Sequence, residues 1–265
     1  MKGSMGYREE KDFKLRNYEI ELTGDQSPTL RPDNKESMHH MGGAAGESVY
    51  LYYEALLRFF KDGRLESVPT RVLSFGFGMG YNEILTVLFY LKNQRDLSQL
   101  RLFSYEKDTF LYALFNSWLQ ERGSSQSVFD DVFAGIQRVT LSFESQTLIH
   151  EVKASLRFLL ENKLWMQNGP IHSVSDFAGP YDVVFYDAFS AKTNDYLWTE
   201  EFLGNFFSHH LSPRFVFSTY ACTGVLKRVA LASQSQFEKR AGFKGKRDST
   251  MISRLAETLT PLPEI

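Results

Sequence analysis

Apolar positions along the chain follow two rhythms that alternate. Val72, Leu73 and Phe75 form a short, nearly continuous apolar run, whereas Tyr81, Ile84, Leu85, Leu88 and Phe89 recur at spacings of three and four. The first pattern predicts a buried strand and the second a helix with one buried face. The pairing repeats downstream. Arg101 to Tyr105 predicts a second strand, before a helix carrying Leu111, Leu114, Phe115 and Trp118. Gly179-Pro180 introduces a third, Val183 to Phe185, followed by a helix over Trp198 to His210, a strand over Phe215 to Thr219 and a helix beginning near Gly224. Strands that alternate with helices predict an α/β chain with a mainly parallel sheet covered on both faces.

The remaining segments read less regularly. Tyr18 to Leu22 predicts a short strand, and Pro28 and Pro32 then oppose regular structure. Gly42, Gly43 and Gly46 predict a flexible loop, with a helix from Glu47 onward that carries Tyr50, Tyr53, Leu57 and Phe60. Residues 123–137 open on a turn and predict a short lid or helical insertion. Val139, Leu141 and Phe143 alternate as in a half-buried strand, and Thr147 to Ile149 is another extended candidate. A helix with Leu156, Leu159, Leu160 and Leu164 follows.

Between the first strand and its helix stand Gly76, Gly78 and Gly80. Glycines there let a ligand approach bare backbone, and the helix start aims its unpaired N–H groups at that ligand. A dinucleotide fingerprint would need a third glycine where Tyr81 stands. Glu106, at the tip of the second strand, is placed to accept hydrogen bonds from ribose hydroxyls; the alternative is a surface Glu beside Lys107. Asp108 is a candidate cap for the next helix. Glu151, read as a strand-to-helix junction, could meet an adenine amino group or simply face solvent. Asp187 ends the third strand, at the edge where open α/β sheets bind ligands. The glycine loop before Glu47 could close over a cofactor. His39 and His40 lack the partners that a metal site needs, and read as solvated loop residues.

Composition narrows the picture a little. The chain has 265 residues, 43% of them hydrophobic and 15% aromatic, which suits one α/β domain with extensions. A net charge of −2 gives no global basic field, so nucleic-acid contact would need a local patch. Lys227, Arg228, Lys239, Arg240, Lys244, Lys246, Arg247 and Arg254 face only Glu238 and Asp248, and make either such a patch or a solvated face. One cysteine, Cys222, excludes an internal disulfide framework and a cysteine-based zinc cluster. The polar start MKGSMGYREEKDFKLR is no secretory signal, and no apolar run reaches the roughly 20 residues of a membrane span. The expected compartment is the cytoplasm.

Several stretches, in order, resemble one family. They are SPTLR and ESMHHMGGAAGES, then VLSFGFGMGYN, SYEKD, YDVVFYDAFSAKTNDYLWTEEF, STYACTGVLKR and GFKGKRD, over residues 27–254. Together they resemble the methyltransferase part of the bifunctional tRNA 5-methylaminomethyl-2-thiouridine biosynthesis protein and its single-domain relatives. The resemblance implies a Rossmann-like class I S-adenosylmethionine-dependent methyltransferase fold with a small N-terminal extension. It divides the chain into an extension and cofactor-covering loop (1–45), a methyltransferase domain (46–256) and a tail (257–265). It implies S-adenosyl-L-methionine held by Glu47, Gly76, Phe77, Gly78, Gly80, Asn82, Glu106, Lys107, Glu151 and Asp187, with Asp187 also catalytic and no metal. The substrate implied is the aminomethyl group of a wobble uridine in a tRNA anticodon stem-loop, methylated to methylaminomethyl. Phe189, Trp198, Tyr220, Lys227, Arg228, Lys246 and Arg247 would contact that substrate, and Phe75, Phe77, Tyr105 and Tyr186 would complete an aromatic rim. The flavin-dependent half of the bifunctional protein has no counterpart, so no FAD is expected.

Departures from the family pattern keep other readings open. Ala191 and Asp195 stand where relatives commonly have prolines, and Glu151-Val152-Lys153-Ala154 stands near the usual Gly-Asp-Ala. One alternative is an aminopropyl transferase like spermidine synthase, which would show acidic pocket walls and need no basic tail. The other is a catalytically idle RNA-binding descendant.

Overall fold

The computed structural model describes residues 6–32, 36–61, 68–120, 126–140, 148–188, 195–245 and 248–255. Helix α1 (Glu10–Leu15) leads into a two-stranded antiparallel hairpin, β1 (Tyr18–Leu22) and β2 (Pro28–Pro32). The prolines expected to break structure instead bound β2. They occupy its first and last positions, opposite Leu22 and Tyr18, in a sheet whose outer edge asks nothing of their missing N–H. Next, α2 (Ala44–Ser48) runs through a π turn (Val49–Tyr53) into α3 (Glu54–Phe60) without leaving helical backbone. This helix starts three residues before Glu47, earlier than its apolar pattern suggests.

Among the described residues, the main sheet has the order β5-β4-β3-β6-β7-β9-β8. Its strands are β3 (Thr70–Phe75), β4 (Leu100–Tyr105), β5 (Trp165–Asn168), β6 (Tyr181–Tyr186), β7 (Leu211–Thr219), β8 (Gln236–Arg240) and β9 (Ser249–Arg254). The first five in chain order pair in parallel, whereas β9 runs antiparallel to both β7 and β8. Successive strand residues point to opposite faces, and the core divides accordingly. Val72, Leu102, Val183 and Val216 pack under α2, α3, α4 (Tyr81–Lys92), α5 (Phe110–Gln120), α6 (Val128–Val139) and α7 (Leu148–Glu161). Their neighbours Leu73, Phe103, Val184 and Phe217 pack under α8 (Glu200–His209) and α9 (Gly224–Ala232). Burial of α4 from Tyr81 to Tyr90 on all sides explains why its sequence is apolar beyond one stripe. Among the described residues no helix is long and apolar enough to cross a membrane.

The stretch around residue 140 differs from its sequence pattern. Val139 ends α6, an amphipathic helix opened by Ser127, whose side chain and that of Asp130 each take a backbone N–H. Leu141, Phe143 and Thr147 lie outside the described residues. Leu148 and Ile149 begin α7 rather than a strand, and α7 stops at Glu161, before Leu164. The third parallel strand is β5, which follows that helix instead of preceding it. Trp198 lies in a 3-10 turn, and α8 begins at Glu200, after Thr199 caps it through the Phe202 amide.

Candidate functional site

Strand β3 has β4 on one side and β6 on the other, so connections leave its carboxyl end in both directions and open a crevice there. Hydrogen bonds stitch the strand ends together. The Gly76 amide donates to Tyr105 O, Glu106 N to Asn168 O, and Asp187 N to Phe75 O at 2.8 Å. Gly76 has a φ of 100°, and a Cβ on it would lie 2.5 Å from the Asp187 carbonyl oxygen. Only glycine lets the two strand ends approach so closely. Gly76→Ala is therefore expected to cost roughly 2–4 kcal/mol of stability, read by thermal or urea unfolding, with loss of ligand binding.

Around this crevice lies a cavity of about 400 Å³, a size suited to a small ligand. Gly78 and Phe77 line it through the turn, although the Phe77 ring packs inward on Tyr112 and Phe115. Gly80 serves the fold instead. It caps α4 with a φ of 76°, and a Cβ there would strike the Phe115 ring at 2.5 Å. Glu106 reaches the wall and accepts from the amides of Gly78 (3.0 Å) and Asp108 (2.9 Å), while burial pushes its pKa up. Lys107 lines the same wall. Asn82 is 3% exposed, and its Oδ1 has no hydrogen-bond partner among the described residues. Glu47 accepts from His40 N at 2.7 Å and also faces the cavity. His39, expected in solvent, lines the cavity, with its ring edge-on to Tyr81 and Nδ1 2.9 Å from Thr29 Oγ1.

Glu151 does not reach this site. It is an exposed residue in the first turn of α7, because Leu148 and Ile149, expected to be extended before it, are the first residues of that helix. Its place on the wall is taken by Gly169, Pro170, Ile171 and His172, which follow β5. Gly169-Pro170 directly after Trp165 to Asn168 was the available sign: a short strand closed by a turn pair.

Residues 142–254 match the family model described as S-adenosyl-L-methionine-dependent methyltransferase. Among solved structures, the chain is similar to the crystal structure of MNMC2 from Aquifex aeolicus, with 21% identity and a TM-score of 0.60. That likeness covers 93% of this chain and 73% of that one. The chain has the fold of an S-adenosyl-L-methionine-dependent methyltransferase. A glycopeptide N-methyltransferase, MtfA, complexed with sinefungin is a more distant likeness, with 13% identity, coverage of 77% of this chain and 86% of that one, and a TM-score of 0.38. A comparison with curated proteins gave no match. These findings agree with the resemblance drawn from the motifs, and S-adenosyl-L-methionine is the cofactor.

The cavity suits that cofactor on its own terms. Bare backbone at Gly76 and Gly78, a carboxylate at the tip of β4 and the unpaired Asn82 acceptor all face one space. The wall carries Glu36, Glu47, Glu106 and Asp187 against Lys107, a surplus of negative charge that favours a cationic sulfonium.

Asp187 lies on this wall, with Tyr220 beside it. The Tyr220 hydroxyl donates to Ala188 O at 2.8 Å, and burial, followed by the Asp187 charge, raises its pKa. Two further rings of the expected aromatic rim, like Phe77, belong to the core instead. Tyr186 is fully buried, and Trp198, 7% exposed, packs between Tyr186 and Tyr220, so it offers no open face to a base. The exposed ring of that turn is Tyr196, 45% exposed and edge-on to Phe202, one residue before the wall residue Leu197.

The basic segment is more paired than its sequence suggests. Arg240 is buried and bonds Glu54, Lys239 pairs with Asp248 at 2.7 Å, and Arg228 pairs with Glu200 at 2.7 Å. Arg254 lies over Phe215 and donates to Ser233 O. Lys227 is exposed, and Lys244 donates to Gly42 O at 2.8 Å. Phe189, Ala191, Lys246 and Arg247 lie outside the described residues.

Proposed function

We propose that this methyltransferase N-methylates a primary amine, the aminomethyl group of a wobble uridine in a tRNA anticodon stem-loop. The observation that carries this reading is the Asp187 carboxylate on the cavity wall where β3 and β6 meet, across from the glycine turn. When bound, S-adenosyl-L-methionine supplies a methyl group on a positively charged sulfur. Asp187 accepts a hydrogen bond from the neutral amine and so aims the nitrogen lone pair along the line of displacement. As the N–C bond forms and the C–S bond breaks, the nitrogen becomes cationic. Asp187 then receives the proton it sheds and passes it to water.

The acidic wall disfavours phosphate, so the tRNA backbone is to be held outside the cavity. Among the described residues, Lys227 and Lys244 are the candidates there, Arg228 being engaged with Glu200. Tyr196, rather than Trp198, is the ring on which the extruded base would stack. Tyr196→Ala is expected to raise KM for tRNA about tenfold, as the loss of one base–aromatic stack does. Tyr196→Phe should stay near wild type, and calorimetry should show unchanged cofactor affinity for both.

The four carboxylates on the wall equally favour a second reading, aminopropyl transfer to a polyamine. One experiment separates the two. The protein is incubated with S-adenosyl-L-methionine and undermodified tRNA, whose nucleosides are analysed by mass spectrometry, and in parallel with decarboxylated cofactor and putrescine. A uridine one methyl heavier at the aminomethyl group supports the proposal. An aminopropylated polyamine supports the second reading, and neither product leaves a non-catalytic RNA binder.

A further inference from the structure

Tyr52 is 1% exposed and occupies the π turn Val49–Tyr53. Turns of this kind, wider by one residue, often mark functional positions because they rotate side chains out of the helical register. Two contacts fix where the Tyr52 side chain goes. Ser218 Oγ donates to Leu51 O at 2.7 Å, anchoring the turn to β7, and the Tyr52 ring packs on Phe185 with 5.4 Å between centroids. Phe185 is two residues before Asp187, so side-chain alternation puts both on the face of β6 that α2 and α3 cover. The Tyr52 hydroxyl is fully buried and has no hydrogen-bond partner among the described residues, and Asp187 is the charge that acts on it most strongly.

We infer that Tyr52 is a positioning residue for Asp187: its O–H donates to the carboxylate, fixing one oxygen so that the other faces the amine. The inference rests on the role proposed for Asp187. It fits the electrostatics of the phenol. Burial first, then the Asp187 charge and Glu47, hold its pKa well above the ordinary tyrosine value, so it remains a donor. An orienting donor of this kind lowers the number of carboxylate rotamers that compete with the productive one.

The test is Tyr52→Phe, which keeps the ring on Phe185 and removes only the hydroxyl. Two readouts are taken. In protein labelled with carboxyl-¹³C aspartate, the Asp187 signal is assigned by its loss in Asp187→Asn and titrated in wild type and Tyr52→Phe. A donor that favours the ionised carboxylate holds its titration down, so the variant's signal is expected to titrate at higher pH. This readout needs no substrate, and so stands even if the tRNA reading fails. With active enzyme, kcat is expected to fall about tenfold, with KM for the amine substrate and calorimetric affinity for S-adenosyl-L-methionine within about twofold of wild type. In the Asp187→Asn background, the same change should add almost nothing. An unmoved Asp187 titration, or a Tyr52→Phe variant that loses cofactor binding along with activity, would overturn the inference. Asp187→Ala retaining full activity would instead remove the role of Asp187 itself.

Discussion

Asp187→Ala lowers methyl transfer by at least about a hundredfold while S-adenosyl-L-methionine still binds. The backbone of residue 187 does the structural work at the crevice: its amide donates to Phe75 O, and its carbonyl is the close neighbour of Gly76. Alanine preserves both. What it removes is the acceptor proposed to orient the amine and take its proton, an effect typically worth 10²–10⁴ in rate. Truncation also removes the acceptor proposed for the buried Tyr52 hydroxyl, at a cost of about 1–3 kcal/mol. Asp187→Asn is therefore the cleaner companion, since its Oδ1 still accepts. Activity is read by nucleoside mass spectrometry and cofactor binding by calorimetry. Undiminished methylation by either variant would remove Asp187 from the mechanism.

Glu83→Gln stabilises the protein at pH 8 and changes little at pH 5. Glu83 lies fully buried in the first turn of α4, where Ser104 Oγ donates to it at 2.6 Å. Burial is the largest influence on it. The hydroxyls of Ser104 and Ser74 oppose that influence and Glu106 reinforces it, and its pKa is pushed up from 4.5 to about 7. Between those two values the folded chain holds a proton that the unfolded chain has released. Stability therefore falls as pH rises across the interval, and the penalty is complete above about 7. Its size is up to about 3 kcal/mol. Glutamine keeps the shape of the protonated acid and never ionises. Thermal unfolding should show the variant roughly 5–10 °C more stable at pH 8, with the two curves converging at pH 5. An equal shift at both pH values would mean that packing, not ionisation, sets the difference.

The parts of this site that could be read in advance are those written in consecutive residues. The β3 run, its alternate glycines and the helix after them declare themselves locally, as do Glu106 and Asp187 at the ends of strands followed by turns. What the sequence hid depends on partners far along the chain. Val139-x-Leu141-x-Phe143 alternates, yet Val139 belongs to α6, whose Val128, Phe129, Val132, Phe133 and Ile136 keep a helical period. Four residues of β5 are too few to show a period, so the sequence pattern points to Glu151 for a wall that the residues after β5 supply. Local charge counting misleads for a similar reason. Arg240 looks unpaired beside its own neighbours, but it finds Glu54 at a distance of 186 positions. Trp198 and Tyr196 differ by two positions in a short turn, and only the packing of Trp198 on Tyr186 decides which ring faces outward.

The start of α2 has a last implication. Gly43 supplies no side chain to cap it. Its first amides are met from the β1–β2 connection: Ala44 N donates to Thr23 Oγ1 (3.0 Å), Ala45 N to Ser27 Oγ (2.9 Å) and Gly46 N to Asp25 Oδ2 (2.9 Å). The helix carrying Glu47 and Tyr52 thus begins on scaffolding borrowed from twenty residues upstream. Trimming the protein to its main sheet and covering helices would fray that helix at its root. A graft of this cavity onto another Rossmann-like frame would have to bring the hairpin along.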